Sequence, residues 1–122
     1  MRVLIIDDHE AVRKALRRML TAENFDVCGE AADGEAAIQV TQRLKPDVIL
    51  MDLLLPGMSG IDAGRAVLKE FPAMPIVLMT TLDPDIVDAA RAAGFRGAVS
   101  KGSGNFVVTL NAILQGEQFH QG

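Results

Sequence analysis

Five side chains of complementary chemistry stand at the ends of separate apolar runs. Asp7 and Asp8 follow Val3-Leu4-Ile5-Ile6, and Asp52 follows Val48-Ile49-Leu50-Met51. Thr80 follows Ile76-Val77-Leu78-Met79, and Lys101 follows Gly97-Ala98-Val99-Ser100. Three carboxylates brought together repel one another and raise their own pKa values. A hard divalent cation relieves that conflict, and a small all-oxygen ligand set completed by water suits Mg²⁺. A carboxylate can also act as a nucleophile and carry a phosphoryl group as an aspartyl-phosphate. The ammonium of Lys101 and Mg²⁺ would then neutralise the phosphoryl oxygens, while the Thr80 hydroxyl donates a hydrogen bond to one of them. Taken alone, Asp52 has a plainer reading. It is the only charge between Asp47 and Asp62 and would merely cap the turn through Pro56-Gly57. The catalytic reading requires the four run ends, with their five side chains, to meet.

The elements between them predict that they do. Val12, Leu16, Met19 and Leu20 recur at helical spacing, with Arg13, Lys14, Arg17 and Arg18 mostly off that stripe, which reads as a solvated basic face. Phe25, Val27, Gly29 and Ala31 alternate with polar residues, as in a less buried strand near a sheet edge. Asp33-Gly34 caps a helix carrying Ala36, Ala37, Val40 and Leu44, which stops at Lys45-Pro46. Ser59-Gly60 opens another, with Ile61, Gly64, Leu68 and Phe71 on one face and Pro72 at its end. Asp83-Pro84 opens a fourth, running through Ile86, Val87, Ala90 and Ala93 to Gly94. Phe106, Leu110, Ile113 and Leu114 mark the last, closed by Gly116 and followed by a short polar tail. Strand and helix thus alternate five times, the pattern of an α/β doubly wound parallel sheet with helices on both faces and right-handed crossovers. In such a sheet the carboxyl ends of the strands share one rim, where ligands bind.

Composition narrows the classes further. The chain has 122 residues, one domain's worth, and 49% of them are hydrophobic, which excludes disorder. With aromatics at 4% and no Trp or Tyr, the core must be aliphatic, the methionines filling it among helices and loops. Twelve basic against sixteen acidic residues leave a charge of −4, which argues against direct nucleic-acid binding by this chain. The single Cys28 allows no internal disulfide and reads as a buried, inert thiol in a reducing compartment. No apolar run approaches the ~20 residues of a membrane span and no signal-peptide pattern opens the chain, so a cytoplasmic location without membrane attachment is expected.

The residues Leu4-Ile5-Ile6-Asp7-Asp8-His9, Leu50-Met51-Asp52-Leu53, Pro56-Gly57-Met58-Ser59-Gly60, Val77-Leu78-Met79-Thr80 and Gly94 to Lys101 resemble the receiver domain of two-component response regulators over nearly the whole chain. The Asp-Asp-His opening and the ending Gln115-Gly116-Glu117-Gln118-Phe119 are similar to the NarL/FixJ (LuxR-type) subfamily. The resemblance implies the flavodoxin-like strand order 2-1-3-4-5 with five strands and five helices. It implies that Asp52 is phosphorylated by the phosphohistidine of a sensor histidine kinase. It also implies Mg²⁺ held by Asp8, Asp52 and the backbone carbonyl of Leu54, with Asp7 acting mainly through water. Lys101 would pair with Asp52 and the phosphoryl group, and Thr80 would move toward it and pass the signal on. Such a domain catalyses only its own phosphorylation and slow dephosphorylation. It forms a homodimer on phosphorylation through the first, fourth or fifth helix, and controls a helix-turn-helix, DNA-binding transcriptional output domain. Residues 1–116 would be the receiver, and 117–122 a tail starting the linker to an output domain absent from this chain. A truncated regulator is expected in preference to a stand-alone receiver.

Three departures shape the expectations. The family's strand-five aromatic is here Ala98, so any conformational change should run through the loops after the third and fourth strands. Gly102 replaces a frequent proline after Lys101, so that peptide bond should be trans. Leu54 and Leu82 flank access to the phosphoryl group and cannot orient a water, so the aspartyl-phosphate should last. Leu54 also weighs against the main alternative, a Mg²⁺-dependent phosphatase with an aspartate nucleophile, which needs an acid two residues after that nucleophile. A dinucleotide site lacks its glycine loop after the first strand. His9 reads as a helix-start residue rather than a metal ligand, and His120 as a solvated tail residue.

Overall fold

Short continuous aliphatic runs bury both faces only when helices cover each side of a sheet, and that is the arrangement found. A computed structural model describes residues 1–102, 104–116 and 120–121. In chain order the elements are β1 (Arg2–Ile6), α1 (Glu10–Ala22), β2 (Asp26–Ala31), α2 (Gly34–Leu44), β3 (Val48–Asp52), β4 (Leu54–Leu55) and β5 (Met58–Ser59). There follow α3 (Gly60–Glu70), β6 (Ile76–Met79), α4 (Pro84–Ala92), β7 (Gly97–Val99), α5 (Phe106–Leu114) and β8 (His120–Gln121). The main sheet runs β2-β1-β3-β6-β7-β8, all parallel. Its first five strands have the expected flavodoxin-like order, with five helices around them.

Alternate residues of each strand face opposite layers. Leu4, Ile6, Ile49, Met51, Ile76, Leu78 and Ala98 pack with Ala37 of α2, Ala63 and Val67 of α3, and Val87 and Ala90 of α4. Val3, Ile5, Val48, Leu50, Val77, Met79 and Val99 pack with Leu16 and Leu20 of α1 and Phe106, Leu110 and Ile113 of α5. Met51 and Met79 are therefore core strand residues, not helix or loop fillers. The expected caps form: Asp33 accepts from the Ala36 amide, Ser59 from Asp62 and Asp83 from Asp85.

Three features depart from the sequence reading. The Leu54–Leu55 and Met58–Ser59 pairs form a small antiparallel hairpin around Pro56-Gly57, where a simple turn was expected. The backbone of His120–Gln121 is not free tail but a parallel strand on β7, satisfying amides that an open sheet edge leaves bare. The rest of the expected tail, 117–119 and 122, lies outside the described residues. Cys28 is half-buried rather than buried. It falls where the β1–β2 register slips, and its Sγ lies 3.4 Å from the Val3 carbonyl. The Lys101–Gly102 bond is trans, as expected. Among the described residues no helix is long and apolar enough to cross a membrane.

Helix α3 starts directly against the strand end that carries Asp52. The Gly60 amide donates to the Leu53 carbonyl at 2.6 Å, and a Cβ at Gly60 would overlap the Asp52 carbonyl oxygen. Gly60→Ala should therefore destabilise the fold by about 1–3 kcal/mol through overpacking. Denaturant titration checks this; an unchanged midpoint would show that the contact relaxes freely.

Candidate functional site

Sheet register brings the chemistry together. Ile6 pairs with Met51, so Asp7 leaves β1 beside Asp52. Asp52 pairs with Met79, and Met79 with Val99, so Thr80 and the segment leading to Lys101 emerge next to it. The Thr80 amide donates to the Val99 carbonyl at 3.0 Å and the Leu53 amide to Met79 at 3.2 Å, which carries the ladder past the strand ends. Asp7, Asp52 and Thr80 are buried there.

One cation ties the carboxylates. Lys101 Nζ donates to Asp7 Oδ2 at 2.9 Å and to Asp52 Oδ1 at 3.0 Å. Asp7 Oδ1 accepts the His9 amide at 2.9 Å, and the His9 ring nitrogen Nδ1 lies 3.1 Å from Asp7 Oδ1 and 3.1 Å from Asp8 Oδ1. Ligating atoms of Asp7, Asp8, His9 and Asp52 all lie within 4.8 Å of one another. A cavity of about 460 Å³ opens over Asp52, lined by His9, Leu53, Leu54, Thr80, Thr81, Ile86, Ser100 and Lys101. Leu54 stands on its wall with 75% of its surface exposed, whereas Leu82 packs against the core. The carboxylate oxygens of Asp7, Asp8 and Asp52 form a donor set that fits a hard divalent cation.

The electrostatics separate the two buried acids. Burial alone would raise the Asp7 carboxyl. The Lys101 hydrogen bond, the His9 amide, the Lys101 charge and the His9 ring outweigh it and hold Asp7 below its ordinary value. For Asp52 burial prevails. The Lys101 hydrogen bond and charge pull down, but the charges of Asp7 and Asp8 add to the burial effect, and the carboxyl lies above its ordinary value. Burial would lower the Lys101 ammonium, yet its hydrogen bonds to Asp7 and Asp52 and their charges raise it, so it stays protonated.

Two parts of the site escaped the sequence reading. His9 does start α1, at the N-cap position, but its ring also reaches both adjacent carboxylates. Arg13 and Arg17 do not simply face solvent: both reach Glu30 on β2, and Arg13 also reaches the Asp7 backbone carbonyl. The available signal was Glu30, an acid inside a strand, opposite two arginines one helical turn apart.

A family model described as the response regulator receiver domain matches residues 3–109. Response regulator GacA of Pseudomonas viridiflava is 34% identical over 98% of the chain and 58% of its own length. The transcriptional regulatory protein LiaR of Bacillus subtilis is 43% identical over 77% of the chain and 46% of its own length. The chain thus spans about half the length of the curated relatives it matches. The crystal structure of a LuxR-family two-component response regulator from Aurantimonas sp. SI85-9A1 superposes with a TM-score of 0.92 at 33% identity, over 98% of this chain and 88% of that one.

The opposite shifts of Asp7 and Asp52 predict opposite mutational signs. A lowered folded pKa contributes stability above the ordinary carboxylate range and loses it as pH falls through the folded value. Asp7→Asn should then destabilise at neutral pH, with a cost that shrinks in acid. A raised folded pKa means that the ionised form burdens the fold, so Asp52→Asn should stabilise at neutral pH. That gain should vanish once the carboxyl is protonated in both states. Thermal unfolding against pH in the presence of a chelator measures both; shifts of the same sign would contradict the assignment.

Proposed function

Since the chain belongs to the response regulator receiver domain family, with structural neighbours of the LuxR/NarL type, we propose that it is a phosphoacceptor switch working on Asp52. The observation that carries this reading is the Lys101 bridge between Asp7 and Asp52 at the floor of an open cavity. An Asp52 carboxylate oxygen attacks the phosphorus of a phosphohistidine on a sensor histidine kinase. The new P–O bond forms as the P–N bond breaks and the imidazole leaves. In this reading Lys101 offsets charge on the transferred oxygens, and the Thr80 hydroxyl donates to one of them. Asp8, Asp52 and the Leu54 carbonyl, with Asp7 through water, would hold Mg²⁺, which when bound neutralises phosphoryl charge.

The response is a shift in population, with coupling of about 1–3 kcal/mol typical of such switches. Ala98 is fully buried in β7 and has no rotamer to change, so the response runs through the loops after β3 and β6. Residues 1–116 form the receiver, to whose sheet the backbone of His120–Gln121 adds a further parallel strand. The output it controls is transcriptional, a reading supported by LiaR, a relative named as a transcriptional regulatory protein. Phosphorylation favours a homodimer, and the compartment is the cytoplasm, where Cys28 stays reduced.

Incubation with Mg²⁺ and a small phosphodonor should add one phosphoryl group by intact mass, and Asp52→Ala should abolish the gain. Continuous release of phosphate would favour an aspartate-nucleophile phosphatase instead. Because the exposed apolar side chain of Leu54 cannot orient a water, Leu54→Asn should speed loss of the phosphoryl group severalfold. An unchanged decay rate, followed by the same mass measurement, would remove Leu54 from that role.

A further inference from the structure

The three acids are not equally supported. Asp7 is held at both oxygens and Asp52 by Lys101, while the one-third exposed carboxylate of Asp8 meets the His9 ring. The position of Asp8 rests on its backbone, and that backbone has a specific clamp. The Asp7 amide donates to the Ala31 carbonyl at 3.1 Å, and the Asp7 carbonyl accepts from Arg13 Nη1 at 2.7 Å. The Asp7 carbonyl shares one planar unit with the nitrogen and Cα of Asp8. Fixing the direction of that oxygen therefore fixes where Asp8 leaves the chain.

Arg13 is itself immobilised. Its side chain is 18% exposed, and its Nε donates to Glu30 Oε1 at 3.0 Å. Glu30 Oε2 accepts from Arg17 Nε at 2.8 Å, so one β2 carboxylate holds two arginines of α1. The planar guanidinium presents donors in a rigid fork, which lets Arg13 span a carboxylate and a carbonyl at once. Arg17 shares the Glu30 anchor and reaches the Val27 carbonyl, away from the acids.

We infer that Arg13 is a positioning residue: held by Glu30, it sets the plane of the Asp7–Asp8 peptide and so places the Asp8 carboxylate for a divalent cation. This rests on the metal reading above. A role confined to pinning α1 onto β2 would belong equally to Arg17.

Mn²⁺ binding to the full chain, followed by electron paramagnetic resonance without phosphodonor, separates the two, with thermal unfolding recorded on each variant. Arg13→Ala should weaken Mn²⁺ binding about tenfold, the usual effect of losing a group that orients a ligand. Arg13→Lys keeps the charge but not the fork and should weaken binding nearly as much; it also keeps the test open if the alanine variant does not fold. Arg17→Ala should lose similar thermal stability with little change in affinity. Folded Arg13 variants that bind Mn²⁺ like the wild type would overturn the inference, as would an equal loss in Arg17→Ala. A wild-type protein that fails to bind Mn²⁺ would instead overturn the metal reading itself.

Discussion

The repulsion among three carboxylates at one rim is the constraint on which the rest of the structure depends. Ligating oxygens of Asp7, Asp8 and Asp52 are gathered within 4.8 Å of one another, and two of the three acids are buried. An isolated buried charge is costly unless it is paired. The fold answers with one ammonium shared between Asp7 and Asp52, with the His9 amide on Asp7, and with a raised Asp52 carboxyl where compensation stops short. The incomplete compensation leaves Asp52 less well supported than Asp7. A group that adds positive charge or takes up its oxygen would relieve it.

The framework around this cluster is correspondingly stiff. Asp7 and Asp8 follow β1 and Asp52 ends β3, both strands buried between helical layers, and Gly60 lets α3 begin in contact with the backbone of Asp52. The wall around the cavity is more open: Leu54 is exposed, and Thr80 and Thr81 line the cavity before the Asp83 cap starts α4.

Much of this was legible in the residues, for physical reasons. Val48 to Met51 could only be a buried parallel strand, and a doubly wound sheet gathers its strand ends, so the meeting of Asp52 with Asp7, Thr80 and Lys101 followed from topology. What escaped depends on partners that periodicity cannot see. Leu54–Leu55 and His120–Gln121 are too short to carry an alternation, and they are strands only because another strand lies beside them. Arg13 and Arg17 fall off the apolar stripe of α1, which says polar but not solvated; Glu30 makes the difference from another element. The ring of His9 was likewise invisible, since its turn toward Asp7 and Asp8 is set by rotamer and not by spacing.

The parallel register of β1 on β3 also works as a ruler. Asp7 and Asp52 continue neighbouring strands, and such strands lie roughly 4.8 Å apart, a distance dictated by backbone hydrogen bonds. The gauge of the acidic pair is thus graduated by the main chain and is the same whatever side chains fill the core. Its one adjustment is a single methylene, the difference between aspartate and glutamate. No finer division exists among the natural acids, so the tolerance of this site is machined into the sheet itself.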